Sequence, residues 1–317
     1  MKEHIITKNS SGQRLDKYLS KAIPSLPTSL MHKYFRLKRI KVNGKRAEAS
    51  YRLLENDTVQ LYINDEFFEK TSPQNAYLKV SDVIDIVYED ENILLVNKPS
   101  GMVVHEDESG KDDTLINRIK SHLYKSGEWN PDDSPFTPSL CNRIDRNTQG
   151  IVIAAKTAEA LRILNDKIKN REIDKYYICL VHGTPSPSKG ILRNYIRRDT
   201  IEKRVYIDKD RSRGALTAET EYTVLSSKQG LSMLRCRLLT GRTHQIRAQL
   251  AEAGHPLVGD TKYGKAQQNK NLPFKSQTLC SYKLIFSFKT DAGCLSYLTG
   301  RSFEIKNIDF KDWFLQF

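Results

Sequence analysis

A single carboxylate stands between two arginines in Asn142-Arg143-Ile144-Asp145-Arg146-Asn147-Thr148-Gln149-Gly150, directly ahead of the apolar run Ile151-Val152-Ile153-Ala154-Ala155. Small polar residues, a glycine and then an apolar run read as a turn that feeds a buried strand. A turn on a rigid scaffold can aim its side chain at a ligand, and two nearby guanidinium groups would favour the ionised form of Asp145. An ionised aspartate serves as nucleophile or base at neutral pH with no metal. The competing reading is an ordinary surface Arg–Asp pair, which is what most such pairs are. These nine residues alone favour the competing reading.

A second stretch changes the balance: Gly241-Arg242-Thr243-His244-Gln245-Ile246-Arg247-Ala248-Gln249-Leu250. The pattern predicts a strand ending at Thr240 and a helix starting near Thr243, with Ile246, Leu250 and Ala253 inward and Gly254 as a left-handed cap. A helix N-terminus attracts anions, and Arg247 on the first turns can reach a carboxylate held there. His244 has no second histidine at ligand spacing, so it reads as structural or as a hydrogen-bond donor to a bound ligand rather than a metal ligand. In Lys175-Tyr176-Tyr177-Ile178-Cys179-Leu180-Val181-His182-Gly183, alternation puts Tyr177, Cys179 and Val181 on one face and Tyr176, Ile178 and Leu180 on the other. Strand tyrosines ordinarily pack with a polar tip at the surface. Lys98 lies in Asn97-Lys98-Pro99-Ser100-Gly101, a turn signal between the run at 93–96 and a predicted continuation at 102–105. Such a turn presents Lys98 either to a phosphate or as a solvated corner.

The chain that positions these groups has 317 residues, room for a large core and a small extra domain. Lys and Arg number 51 against 38 Asp and Glu, a formal charge of +13 with a pI near 9.4. That excess attracts polyanions, nucleic acid first. A membrane surface fits less well, because no amphipathic membrane helix is evident. No apolar run approaches the ~18 residues of a membrane span, and residues 1–16 lack the apolar core of a signal peptide. The five cysteines, Cys141, Cys179, Cys236, Cys280 and Cys294, are odd in number, widely spaced and free of any Cys-x-x-Cys pair. Neither a disulfide framework nor a zinc site is expected. The expectation is a reduced, cytoplasmic protein that acts as a monomer without metal or cofactor.

Residues 1–64 read as a compact basic module. Leu15, Leu19 and Ala22 recur at helical spacing and Pro24 ends that helix. Thr28 or Ser29 caps a second helix, on which Leu30, Tyr34 and Leu37 form one stripe and His32, Arg36 and Arg39 the opposite side. Asn43-Gly44 joins residues 40–42 to 45–47 as a tight hairpin that carries Lys41, Lys45 and Arg46. Leu53, Leu54, Val59, Leu61 and Ile63 cover the core. Residues 65–84 lose the pattern and read as a linker. Beyond it, residues 85–317 alternate apolar runs with turns. A helix is predicted over 114–125 and another, capped by Thr157, to about residue 170. Strands are predicted over 218–225 and 233–239. Arg193, Arg197, Arg198, Arg204, Arg211 and Arg213 suggest an exposed cationic ribbon suited to backbone phosphate.

The front module resembles the S4 RNA-binding domain, through Arg14-Leu15-Asp16-Lys17-Tyr18-Leu19, Lys41-Val42-Asn43-Gly44-Lys45 and Asn56-Asp57-Thr58-Val59. It lacks the usual Ser-Arg pair at the start of its second helix, where Thr28-Ser29-Leu30 stands. The remainder resembles the RluA-type pseudouridine synthases in four ordered blocks. These are Lys98 to His105; Arg143-Ile144-Asp145-Arg146-Asn147-Thr148 with Gly150; Lys175 to Gly183; and Gly241 to Arg247 followed by Gly254-His255-Pro256-Leu257-Val258-Gly259-Asp260 and Tyr263-Gly264. Asn142 and Gln149 depart from the family's usual His and Ser.

The resemblance implies an α+β fold: a mixed, largely antiparallel sheet with flanking helices and a cationic cleft, plus a small helix-hairpin domain. It implies an isomerase that converts uridine in structured RNA to pseudouridine with no cofactor. Asp145 would be the catalytic carboxylate, Arg247 its partner and Tyr177 the ring stacked on uracil. Arg143, Lys98 and His244 would contact RNA, joined by Arg14, Arg36, Arg39, Lys41, Lys45 and Arg46 of the S4 module. By analogy the S4 module tilts the substrate toward ribosomal rather than transfer RNA. A non-catalytic RNA-binding or ribosome-assembly protein on the same fold is the alternative.

Overall fold

Two sheets with separate hydrophobic cores organise the chain in the computed structural model. It describes residues 1–317 other than 8–9, 24, 69–75, 107–109, 133–135, 209, 212–213 and 317. The first sheet holds β1 (Lys2–Ile5), β2 (Ile40–Val42), β3 (Lys45–Arg46) and β4 (Thr58–Leu61) in the order β1-β4-β2-β3, antiparallel throughout. Helices α1 (Leu15–Ala22) and α2 (Thr28–Arg36) pack on it. Asn43 and Gly44 both take positive φ, 50° and 75°, as the primed turn of a two-residue hairpin demands.

The buried stripe of α2 is Met31, Tyr34 and Phe35 rather than Leu30, Tyr34 and Leu37. The helix stops at Arg36 and the next turn carries Leu37 outward, where it is 53% exposed. Leu54 is likewise 61% exposed, because it sits on a turn whose amide is held by the Asp57 carboxylate. Neither Thr28 nor Ser29 caps α2, which begins behind Pro27 without a side-chain cap. The helix stop expected at Pro24 lies outside the described residues.

The large sheet forms along the path β11-β10-β12-β13-β9-β14-β8-β6-β5, with two short strands attached to its members. In chain order the elements are β5 (Ile86–Glu89), β6 (Ile93–Lys98), α3 (Leu115–Lys125), β7 (Ser139–Leu140), β8 (Gln149–Ala155), α4 (Ala158–Lys169) and β9 (Ile173–His182). They continue with β10 (Lys189–Asp199), β11 (Arg204–Asp208), β12 (Leu216–Lys228), β13 (Leu231–Leu238), α5 (Gln245–Glu252), β14 (Leu279–Phe286), β15 (Ser302–Glu304) and α6 (Asp309–Gln316). The ladders are antiparallel except where β8 and β14 run parallel. This is the mixed, largely antiparallel sheet with flanking helices that the resemblance implies.

Continuous apolar runs are needed here because both faces of the central strands are covered. On one face Ile93, Leu95, Ile151, Ile153, Ile178 and Leu180 share a core with Leu164 of α4 and Phe310 and Phe314 of α6. On the other, Leu94, Val96, Val152, Tyr177, Cys179 and Val181 share a core with Leu115, Ile119 and Leu123 of α3 and Ile246 and Leu250 of α5. Each fully buried aliphatic side chain contributes about 1.5–3 kcal/mol. Thr114 and Thr157 accept the amides of Asn117 and Ala160 and so start α3 and α4 where their sequences predict.

Two expectations fail locally. Residues 102–105 do not form a strand: the carbonyls of Val103 and Val104 accept the amides of Leu115 and Ile116, so this backbone meets the start of α3 instead of a neighbouring strand. The arginine-rich stretch forms the paired ribbon β10–β11 and keeps Arg193, Arg197, Arg198 and Arg211 exposed as expected, with Arg197 tied to Asp208 and Arg193 to Glu219; Arg213 lies outside the described residues. Ala253 is exposed, because it follows the last turn of α5. Within the expected linker, Tyr77 is buried and packs edge-on against Trp129, 5.2 Å between ring centroids. Among the described residues no helix is long and apolar enough to cross a membrane.

Candidate active site

Asp145 lies on the turn ahead of β8. Ile144 is buried beneath it, and Thr148 closes the turn by donating its amide to the Asp145 carbonyl at 3.0 Å. Gly150, at φ 129°, passes β14 so closely that a Cβ there would lie 2.4 Å from the Ser281 carbonyl oxygen. A side chain at this position would push β8 away from β14. Ser281 is in turn the register partner of both Gly150 and Tyr177. Through this bridge the Asp145 turn and the tyrosine of β9 meet.

The arginines beside Asp145 in sequence are not its partners in space. Arg143 and Arg146 are exposed, while Arg247, from the first turn of α5, brings Nη1 to 2.8 Å from Asp145 Oδ2. The other edge of the same guanidinium grips Asp260, Nε to Oδ2 at 2.7 Å and Nη2 to Oδ1 at 3.0 Å. Planar, forked geometry lets one arginine serve two carboxylates. Asp260 is 0% exposed. Burial pushes its carboxyl up, but Arg247 and the amides of Lys262 and Tyr263 outweigh this and hold it below the usual carboxylate range. Asp145 keeps 23% of its side chain exposed, so a buried, neutralised pair anchors the arginine and the second carboxylate stays open to solvent.

Tyr177 is buried, and its phenol is pushed up to about 12, by burial first and then by the Asp145 charge. At neutral pH it is a protonated phenol. His244 sits directly ahead of α5 with Nε2 3.9 Å from Asp145 Oδ2 and Nδ1 2.9 Å from the Tyr263 hydroxyl. The Tyr263 ring lies under both the Arg247 and the Arg204 guanidinium groups, 5.2 and 5.0 Å from its centroid.

Lys98 corrects an expectation. It is 0% exposed, and its Nζ donates to the carbonyls of Pro99, Met102 and Arg146 at 2.7, 2.8 and 2.8 Å. It therefore cannot meet an RNA phosphate. Burial pulls its pKa down to about 7, and the Asp145 charge opposes that shift. Three carbonyl acceptors need all three protons of an ammonium, since an amine has only two to give. With Ser100, which donates to the Asn147 carbonyl at 3.0 Å, Lys98 pins the backbone just past Asp145. Asn142 is also structural, accepting the Ile153 amide at 2.8 Å.

The basic residues of the first sheet stand apart from this cluster. Arg36, Arg39, Lys45 and Arg46 are exposed and Lys41 is half-buried against Tyr62. Arg14 forms a forked pair with Asp16, 2.8 Å at its shorter contact. Sequence reasoning missed the roles of Asp260 and Tyr263, although the blocks Gly259-Asp260 and Tyr263-Gly264 were visible. Their types suited a turn equally well, and only their contacts with Arg247 and His244 give them a place in the site.

A family described as RNA pseudouridylate synthase matches residues 92–252, and the S4 domain matches residues 13–59. An uncharacterized RNA pseudouridine synthase of Mycoplasma genitalium is 34% identical over 89% of this chain and 88% of its own length. A ribosomal large subunit pseudouridine synthase D of Borreliella burgdorferi is 32% identical over 88% and 83% of the two chains, and a synthase C of Vibrio vulnificus 30% over 82% and 79%. The fold is shared with human RNA pseudouridylate synthase domain containing 4, at TM-score 0.58 and 22% identity over 73% of this chain and 92% of that one.

Proposed function

Because this chain belongs to the RNA pseudouridylate synthase family, we propose that it isomerises uridines of ribosomal RNA, with Asp145 as the carboxylate that acts on the ribose. It is an isomerase with an S4 RNA-binding domain. The ribosomal substrate is supported by the printed names of its synthase C and D relatives. The observation that carries the assignment of Asp145 is its 2.8 Å pair with Arg247 beside the buried Tyr177.

In this reading the target nucleotide leaves its stack at a cost of a few kcal/mol. The bond between N1 and C1′ breaks, the base turns, C5 bonds to C1′, and the C5 proton departs as N1 gains one. No electrons are gained or lost. Asp145 either attacks C1′ or removes the C2′ proton, and Arg247 holds its carboxylate in place in both routes. Tyr177 packs against the uracil, and as a protonated phenol it can relay the C5 proton only by giving up its own. Arg143, exposed on the same turn, occupies the gap left by the base. Arg36, Arg39, Lys41, Lys45 and Arg46 hold backbone phosphates, with the half-exposed Arg14 beside them. Residues 1–64 and 85–317 act as two domains of one monomer in the cytoplasm.

The test is tritium release from bulk cellular RNA labelled at uridine C5, taken from cells lacking this protein. Asp145→Asn is expected to abolish release while RNA affinity stays within about threefold, since a buried ring and a cationic surface remain. Persistent release by this variant would remove Asp145 from the chemistry.

A further inference from the structure

Beside Asp145 stands an imidazole whose proton the scheme above does not place. His244 takes a left-handed backbone conformation, φ 52°, immediately ahead of α5. That conformation is strained for a residue with a Cβ and recurs where a side chain must be aimed. The ring is held at one end by Tyr263 and faces Asp145 with the other.

A phenol hydroxyl has one proton to give. In Tyr263 the amide of Val205 already donates to that oxygen at 3.0 Å, which occupies a lone pair and leaves the proton to point elsewhere. Among the described residues, its acceptor in reach is Nδ1 of His244 at 2.9 Å. A neutral imidazole that accepts at Nδ1 carries its own proton on Nε2. We propose that Tyr263 is a positioning residue that locks His244 as the Nε2–H tautomer, and that this N–H donates a hydrogen bond to an oxygen of the target nucleotide beside Asp145.

The inference rests on the reading of Asp145 as the carboxylate that meets the ribose. At 3.9 Å the Nε2–H does not bond the carboxylate itself, so it is available to a ligand. Burial holds His244 below the ordinary imidazole range, with Asp145 and Asp260 facing it against Arg247 and Lys262. Neutrality matters to the chemistry. An imidazolium here would pair with Asp145 and blunt it, whereas a neutral donor can steady a substrate oxygen and leave the carboxylate free.

Nitrogen-15 histidine NMR of the unmodified chain, with His244 assigned through His244→Gln, tests the tautomer without relying on activity. A protonated Nε2 and an accepting Nδ1 at pH 7.5 are expected; a protonated Nδ1 overturns the proposal. In Tyr263→Phe the pKa of His244 is expected to rise, because a hydrogen bond to the neutral form is lost; an unchanged pKa overturns the role of Tyr263. In the tritium-release assay on the same labelled RNA, His244→Leu is expected to lower kcat by about 100-fold, as loss of one preorganised donor does, with KM nearly unchanged. His244→Gln, which presents an N–H near the Nε2 position, is expected to restore much of that loss. Equal turnover by wild type and His244→Leu overturns the donor role. Failure of the Asp145 reading is recognised separately, by activity in Asp145→Asn.

Discussion

Arg247 is the residue that ties the Asp145 cluster together. It is the link between an open carboxylate, Asp145, and a closed one, Asp260. The two acids differ in solvent access rather than in type: Asp260 is fully buried, while Asp145 remains open to a ligand. Removing one partner of a buried ion pair is costly because the other charge is left uncompensated. Asp260→Ala is accordingly expected to lower unfolding stability by about 3 kcal/mol, read from the denaturant midpoint, and to reduce turnover by releasing Arg247 from its pose. If the midpoint does not move, the anchor assignment is wrong. Asp145→Ala leaves the Asp260 contact intact and is expected to shift the midpoint much less.

At the scale of elements, the site depends on strands that cannot separate. The close passage of β8 and β14 at Gly150 carries the Asp145 turn to Tyr177. On the far side of the sheet a buried tie joins α4 to the start of β9. Lys167 donates to Glu172 at 3.0 Å, and Glu172 also accepts the Lys289 amide at 2.8 Å and the Thr290 hydroxyl at 2.9 Å. These donors, the Lys289 amide foremost, hold the Glu172 carboxyl down at about 2 against an ordinary 4.5. A depressed carboxyl adds stability that is fully present above the unfolded value and is lost as pH falls toward the folded one. Glu172→Gln is therefore expected to melt below wild type at pH 7, with the gap narrowing as pH drops from 4.5 toward 2. A gap that stays constant across that window would show that the charge contributes nothing.

For the whole molecule the governing quantity is the +13 formal charge, distributed over two bodies with separate cores. The hairpin β2–β3 and the end of α2 place Arg36, Arg39 and Lys45 at the surface of the first sheet. Each Lys or Arg that neutralises a phosphate releases condensed counterions, so losing such contacts weakens the dependence on salt. Replacing these three with glutamine is expected to make the slope of log affinity against log salt shallower by about 2 to 3, without changing turnover at saturating RNA. Unchanged slope would mean that this surface does not meet the backbone.

The features determined by local chemistry were readable from the chain alone. Thr114 and Thr157 cap helices, Asn43-Gly44 turns a hairpin, and the apolar runs at 93–96 and 151–155 form strands, because each depends on residues within a few positions. Motif order also marked Asp145, Tyr177 and Arg247 as a set. Read by themselves, the residues around Asp145 could not express pairing; Arg247 was marked as its partner only through the motif resemblance. Arg143 and Arg146 adjoin Asp145 in sequence, yet the guanidinium that meets it comes from 102 residues away. Lys98, apparently a surface cation, became a buried strut because three carbonyls converge on it. Charge and hydrogen-bond partners are chosen by which strands lie side by side, and in this protein one parallel contact between β8 and β14 helps bring those strands together.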